Sequence, residues 1–243
     1  MALESVGVAA GMVPGLSRRP GCMRCPQERL GGRNYCGACG NRLRRCETKQ
    51  VSVLFLDVCG FTALSERLDP EQVSEIMDRA FGIVLDVVHE YDGSVNQFLG
   101  DGVMALFGEG PGEHHAGRAL RAALALQERL EAVRQGVRRS HGLEFRVRIA
   151  VNTGPIVVGA IGAGLRADYT ATGDTTHLAA QLLRVAEPGQ IVLTGRTRAL
   201  ATGPFDFAEL APTALTEAPG AVAVHALARR APAHAGSGSL AGV

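Results

Sequence analysis

The sequence predicts an α+β domain of order β-α-β-β-α-β, preceded by a small cysteine module, and three observations carry that expectation. Val51–Asp57 (VSVLFLD) is a nearly continuous apolar run, the pattern of a strand buried on both faces. Two amphipathic helical stripes, one after Asp69 and one over Leu120–Val133, are separated by two short strand-like runs. Cys22-x-x-Cys25 and Cys36-x-x-Cys39 stand together ahead of the first strand.

Four regions follow along the 243 residues, a length that suits one full domain with an appendage. Residues 1–20 are rich in Gly, Ala and Pro and read as a mobile lead-in. Residues 21–45 hold the cysteine pairs, residues 50–227 the main domain, and residues 228–243 a tail too poor in bulky apolar groups to order itself. The apolar fraction of 46% suits a packed core, and a net charge of +1 provides no global field for nucleic acid or a membrane surface. The N-terminus lacks a basic start and carries Glu4, so no signal peptide is expected. No apolar run reaches the roughly 18–20 residues of a membrane helix. The expected setting is the cytoplasm.

Within the main domain, Asp69-Pro70-Glu71-Gln72 offers an N-cap, a first-turn proline and a capping-box partner. The helix that follows places Val73, Ile76, Met77, Ala80, Phe81, Val84, Leu85 and Val88 on one stripe, and Asp92-Gly93 ends it. SVNQFL and VMALF read as strands joined by a Gly100-Asp101-Gly102 hairpin turn. Leu120, Ala123, Leu124, Gln127, Leu130 and Val133 trace the second helix. Phe145, Val147, Ile149 and Val151 alternate with polar residues as a strand. IVVGAI (156–161) follows an Asn-Thr-Gly-Pro turn and is expected to pair back on that strand. Further strands and a helix near Thr175–Ala186 complete the order, which is the split βαβ arrangement of ferredoxin-like folds. That scaffold hosts many chemistries and does not fix one.

Each Cys-x-x-Cys pair can offer two thiolates from one tight turn, and two such turns complete a tetrahedral sulfur shell. Cys22, Cys25, Cys36 and Cys39 therefore read as a structural zinc ribbon with no open coordination position; the bland alternative is four unrelated thiols or a redox pair. Cys46 reads as a linker thiol and Cys59 as a small buried one.

Asp57 ends the first strand and Asp101 stands in the hairpin turn. If the strands adjoin, both carboxylates reach one water-accessible edge, where a hard divalent cation such as Mg²⁺ or Mn²⁺ relieves their repulsion. The alternative is that Asp57 caps the next helix while Asp101 merely makes the turn.

VSVLFLDVCGFTALSERLDPE, SVNQFLGDGVMALFG, RVRIAVNTGPIVVGAIG and DYTATGDTTHLAAQLLRVAEPGQIVLT resemble successive blocks of the class III adenylate/guanylate cyclase domain, in the family's order and over roughly residues 50–210. The cysteine module resembles the zinc ribbon found ahead of bacterial domains of this kind. The resemblance implies a dimer with active sites at the subunit interface. It implies two Mg²⁺ or Mn²⁺ ions on Asp57 and Asp101, with the Val58 carbonyl facing one of them. The partner chain would supply purine recognition and transition-state contacts. There the sequence departs from the pattern. Gln97 replaces the purine-reading lysine, His177 the ribose-orienting asparagine and Gln181 the transition-state arginine, while Thr170 is kept at the second base-reading position.

A glutamine amide offers neutral hydrogen bonds where a guanidinium offers a fixed charged fork, and losing one preorganised donor costs about 10²–10³ in rate. His177 could donate when protonated; both residues could also be ordinary helix-surface positions. Two readings result: a cyclase converting ATP, with GTP less favoured, to the cyclic monophosphate and pyrophosphate, or a weak pseudo-cyclase acting as a regulatory or heterodimeric partner. His114-His115 reads as a solvated helix start. Gly159–Gly164 lacks the setting of a dinucleotide loop, and the paired arginines at 138–139 and 229–230 are too short to imply nucleic acid.

Overall fold

In the computed structural model, which describes residues 46–108, 115–161, 168–172, 174–210 and 222–228, the apolar run forms the centre of β1 (Cys46–Cys59). Its side chains divide by the period of two. Leu54, Leu56 and Val58 join the core on one face, and Val51, Val53 and Phe55 join that on the other. Both sides are covered, which is why the run shows no polar alternation.

The strand sits inside an eight-stranded sheet. Its order is β2 (Ser94–Leu99), β3 (Gly102–Phe107), β1, β4 (Arg146–Ile161), β6 (Ile191–Thr194), β8 (Val224–Ala228) and β7 (Asp206–Glu209), with β5 (Asp168–Thr172) paired to β4. One face is covered by α2 (Pro70–Glu90) and α3 (His115–His141), which bury Val84, Val88, Leu120, Leu126 and Leu130. The other is covered in part by α4 (Asp174–Val185), whose Ala179 packs with Val53 and Phe55 and whose Leu182 packs with Ala150 and Val192. Short helices α1 (Phe61–Arg67) and α5 (Gly195–Leu200) follow β1 and β6. The Gln72 side chain accepts from the Asp69 amide at 3.2 Å, as the capping-box pattern requires.

The Asn-Thr-Gly-Pro segment corrects the expectation drawn from its composition. It is no turn: Asn152, Thr153 and Gly154 are buried in the middle of β4, and 156–161 runs on to pair with β5 instead of folding back. The polar groups that suggest a turn are consumed by neighbours. Asn152 Nδ2 donates to the Thr175 carbonyl at 2.8 Å, Thr194 Oγ1 donates to Asn152 Oδ1 at 2.9 Å, and Thr175 Oγ1 donates to the Pro155 carbonyl at 2.7 Å. A Cβ on Gly154 would fall 2.5 Å from Thr175 Oγ1. Glycine is needed there so that α4 can seat directly on the strand.

His115 is a second correction. Its ring is half-buried, with Nδ1 3.0 Å from Ser52 Oγ, and Ser52 lies 2.7 Å from Thr153 Oγ1. Burial, aided by the Arg118 charge, lowers its pKa and favours the neutral ring. Cys22, Cys25, Cys36 and Cys39, expected to form a zinc ribbon, lie outside the described residues, as do the lead-in and the tail from 229. No helix among the described residues is long and apolar enough to cross a membrane.

Candidate active site

Asp57 lies opposite Gly102 in the β1–β3 ladder, and Gly102 also pairs with Leu99 across β2–β3. Gly100-Asp101 is thus a two-residue hairpin turn set beside the end of β1, with the Val58 amide donating to the Asp101 carbonyl at 3.3 Å. The close approach depends on Gly102, where a Cβ would stand 2.9 Å from the Leu56 carbonyl oxygen. That same Cβ position is 3.6 Å from Asp57 Oδ1, which places this oxygen on the side of the hairpin turn.

The other oxygen has a different partner. Arg148 on β4 donates to Asp57 Oδ2 through Nε at 2.8 Å and Nη2 at 2.6 Å, with the side chains 31% and 19% exposed respectively. A guanidinium so placed fixes the orientation of the half-buried carboxylate through Oδ2 and leaves Oδ1 outside that pair. Arg148 went unread in the sequence, where it passed as one polar residue in the alternation of Phe145–Val151. A half-buried charge on a strand in a two-sided sheet needs a counter-charge, but only the β1–β4 pairing identifies Asp57 as that partner.

The backbone register sets Asp57, Val58 and the half-exposed Asp101 at one edge of the sheet. The described residues hold no cluster of three or more His, Cys, Asp or Glu. Two carboxylates with a main-chain oxygen form a sparse, hard donor set. Such a set fits an ion that keeps several waters or takes substrate phosphates. Cys59 is half-buried beside this edge, and its thiol is held above its ordinary pKa by burial, only partly opposed by Arg148.

The remaining candidates are not gathered around the two aspartates. Gln97 is exposed on β2 next to a bulge at Asn96, and β2 touches β5, the strand carrying Thr170. His177 and Gln181 stand one turn apart on α4, with their Nε2 atoms 2.9 Å apart. Gln181 Nε2 can only donate in this contact, and Gln181 Oε1 is buried with no partner. Asn152 and Pro155 anchor the first turn of α4 near Thr153, which meets β1 at Ser52. That is five residues from Asp57, roughly 17 Å along the strand.

A family model for the adenylate and guanylate cyclase catalytic domain matches residues 43–228. The chain belongs to this family. Adenylate cyclase 1 of Rhizobium meliloti is 41% identical over 135 residues, covering 55% of this chain and 20% of the relative. An adenylate cyclase of Anabaena cylindrica is 27% identical over 139 residues, covering 56% of this chain and 27% of that one. The chain therefore spans about a fifth to a quarter of the length of these curated relatives. Among solved structures, the adenylyl cyclase CyaB from P. aeruginosa superposes with a TM-score of 0.73 at 26% identity, covering 77% of this chain and 98% of that one. The guanylyl cyclase Cya2 gives 0.68 at 27% identity, covering 78% and 96%. The described domain is an adenylate/guanylate cyclase catalytic domain.

Proposed function

We propose that this cyclase domain contributes the metal-binding half of a composite active site for a purine nucleoside triphosphate, with ATP the favoured substrate and GTP the less favoured one. The observation that carries this is Asp57 held through Oδ2 by Arg148 beside the hairpin turn that carries Asp101. Asp57, Asp101 and the Val58 carbonyl would hold two Mg²⁺ or Mn²⁺ ions, which supply activation of the nucleotide 3′-hydroxyl and neutralisation of the triphosphate. Arg148 fixes Asp57 and adds a positive charge at the edge where phosphates would gather. Thr170 offers a hydroxyl to the purine edge, and Gln97 an amide that can both donate and accept. Two such domains, as a homodimer or with another cyclase chain, would face these elements to each other's aspartates.

A second observation favours weak turnover by a homodimer. Where the family pattern has asparagine and arginine, His177 and Gln181 bond each other and present no fixed cation. The homodimer thus keeps its metal side and lacks the charged transition-state contact, so a regulatory or heterodimeric role fits this chain. The proposed zinc ribbon on Cys22, Cys25, Cys36 and Cys39 would be a separate structural module ahead of the domain.

Manganese-dependent binding of an ATP analogue by calorimetry tests the metal half directly. Asp57→Asn and Asp101→Asn are each expected to abolish it while the domain stays folded. Wild-type binding by both variants would reduce the two aspartates to structural residues.

A further inference from the structure

Beyond the nucleotide site, a pocket of about 550 Å³ opens where α1 faces the loop between α3 and β4. Its wall is largely apolar, formed by Ala63, Leu64, Leu143 and Pro188, with Leu64 only 2% exposed. The size lies within the range of small-molecule sites, about 300–1,000 Å³. Cys59 and Gly60 form one end, so the wall continues directly from the Asp57–Val58 end of β1.

The charges on the pocket are unbalanced. Arg67, at the last turn of α1, is exposed and meets no carboxylate among the described residues. Arg146 uses Nε to reach Glu144 Oε2 at 3.3 Å, and Arg134 Nε lies 3.5 Å from that same oxygen. Glu144 is shared by two arginines and has little left to neutralise Arg67. Its pKa is lowered first by the Arg146 hydrogen bond, which agrees with a carboxylate already committed to cations.

We propose that this pocket binds a small organic monoanion, an aromatic carboxylate whose ring lies against Leu64, Leu143 and Pro188 and whose carboxylate meets Arg67 and Arg146. A neutral apolar molecule would leave Arg67 unmatched. A triphosphate would bring several charges against an apolar wall with too few donors to replace their water. A single carboxylate on a flat apolar body satisfies both the wall and the guanidinium.

Cys59 reports occupancy from inside the pocket, so the test does not depend on cyclase activity. The intact chain is treated with iodoacetamide at alkaline pH, where the thiol reacts, and the Cys59 peptide is followed by mass spectrometry. The probe is 2-naphthoate, with 2-naphthamide as its neutral counterpart of the same shape. Naphthoate is expected to slow Cys59 alkylation, with half-protection at a concentration about tenfold lower than the amide needs, one charge-assisted contact apart. Arg67→Gln, on the surface and outside the nucleotide site, should raise the naphthoate requirement about three- to tenfold and leave the amide unchanged. Leu143→Trp, which fills the pocket, should remove protection by both. An alkylation rate indifferent to naphthoate overturns the proposal. So does equal protection by acid and amide, or protection insensitive to Arg67→Gln; that surface variant keeps the test decisive even if Leu143→Trp misfolds.

Discussion

Replacing Arg148 with methionine separates its two effects on the site. The variant keeps the apolar stem of the side chain and removes both bonds to Asp57 Oδ2, at 2.8 and 2.6 Å. Hydrogen bonds to a charged group contribute about 1.5–3 kcal/mol each, but both side chains keep partial exposure and the two bonds share one oxygen. A net loss of about 1–2 kcal/mol is the reasonable expectation. For a domain of this size, with a Tm shift of about 2–4 °C per kcal/mol, Tm should fall by about 2–8 °C. The same change frees Asp57 to repel Asp101, so added Mn²⁺ should now stabilise the variant more than it stabilises the wild type. Stabilisation by a ligand follows RT ln(1 + [L]/Kd), so an ion at about ten times its Kd restores roughly 1.4 kcal/mol. Differential scanning fluorimetry across a manganese titration reads both effects. In an Asp57→Asn background, Arg148→Met should cost little further Tm, because the pair is already broken. An unchanged Tm, or a manganese response no larger than the wild type's, would refute the assignment of Arg148 to Asp57.

Two other outcomes follow from the same chemistry. The folded-state pKa of His115 is lowered by burial and by Arg118, so the stability it contributes is present above its ordinary value, near 6.5, and is lost as pH falls through the folded-state value. His115→Gln, neutral throughout, should therefore match the wild-type Tm at pH 8 and lose less Tm on acidification to about pH 5; parallel curves would rule out His115 as the titrating group. Elemental analysis of protein purified without chelator should find one zinc per chain, and Cys22→Ser should lose it without lowering the Tm of the cyclase domain, which has its own core; a metal-free wild type would remove the ribbon.

The elements that the sequence announced most clearly are those in which one period dominates. β1 and α2 are built where Val51–Asp57 and the Asp69 capping box place them, because burial and capping act over neighbouring residues. Asn152–Pro155 misled because turn composition and a buried polar dock use the same residue types. Only contact with Thr175 and Thr194, far along the chain, distinguishes them. The hairpin at Asp101 was legible from Gly100 and Gly102, whereas its place beside the end of β1 comes from the sheet order. Arg148 was not: its role depends on β4 lying beside β1, a register no local pattern encodes. His177 and Gln181 were legible as departures from a family pattern. Their bond to each other, and the orphaned Gln181 Oε1, appear only in three dimensions.

The central claim is that this chain keeps a working metal half and lacks the charged contacts of the opposite half. Complementation measures that claim directly. The chain is mixed with a cyclase domain whose own two metal aspartates have been replaced by alanine, and cyclic nucleotide formation from ATP is followed with Mn²⁺ present. The account predicts activity in the mixture that neither protein shows alone, abolished when Asp57 of this chain is replaced by asparagine. Brisk turnover by the isolated chain would contradict it, because His177 and Gln181 would then suffice where a fixed cation was held to be required. A mixture that forms the heterodimer and stays silent would contradict it equally, because the metal half would then be inert.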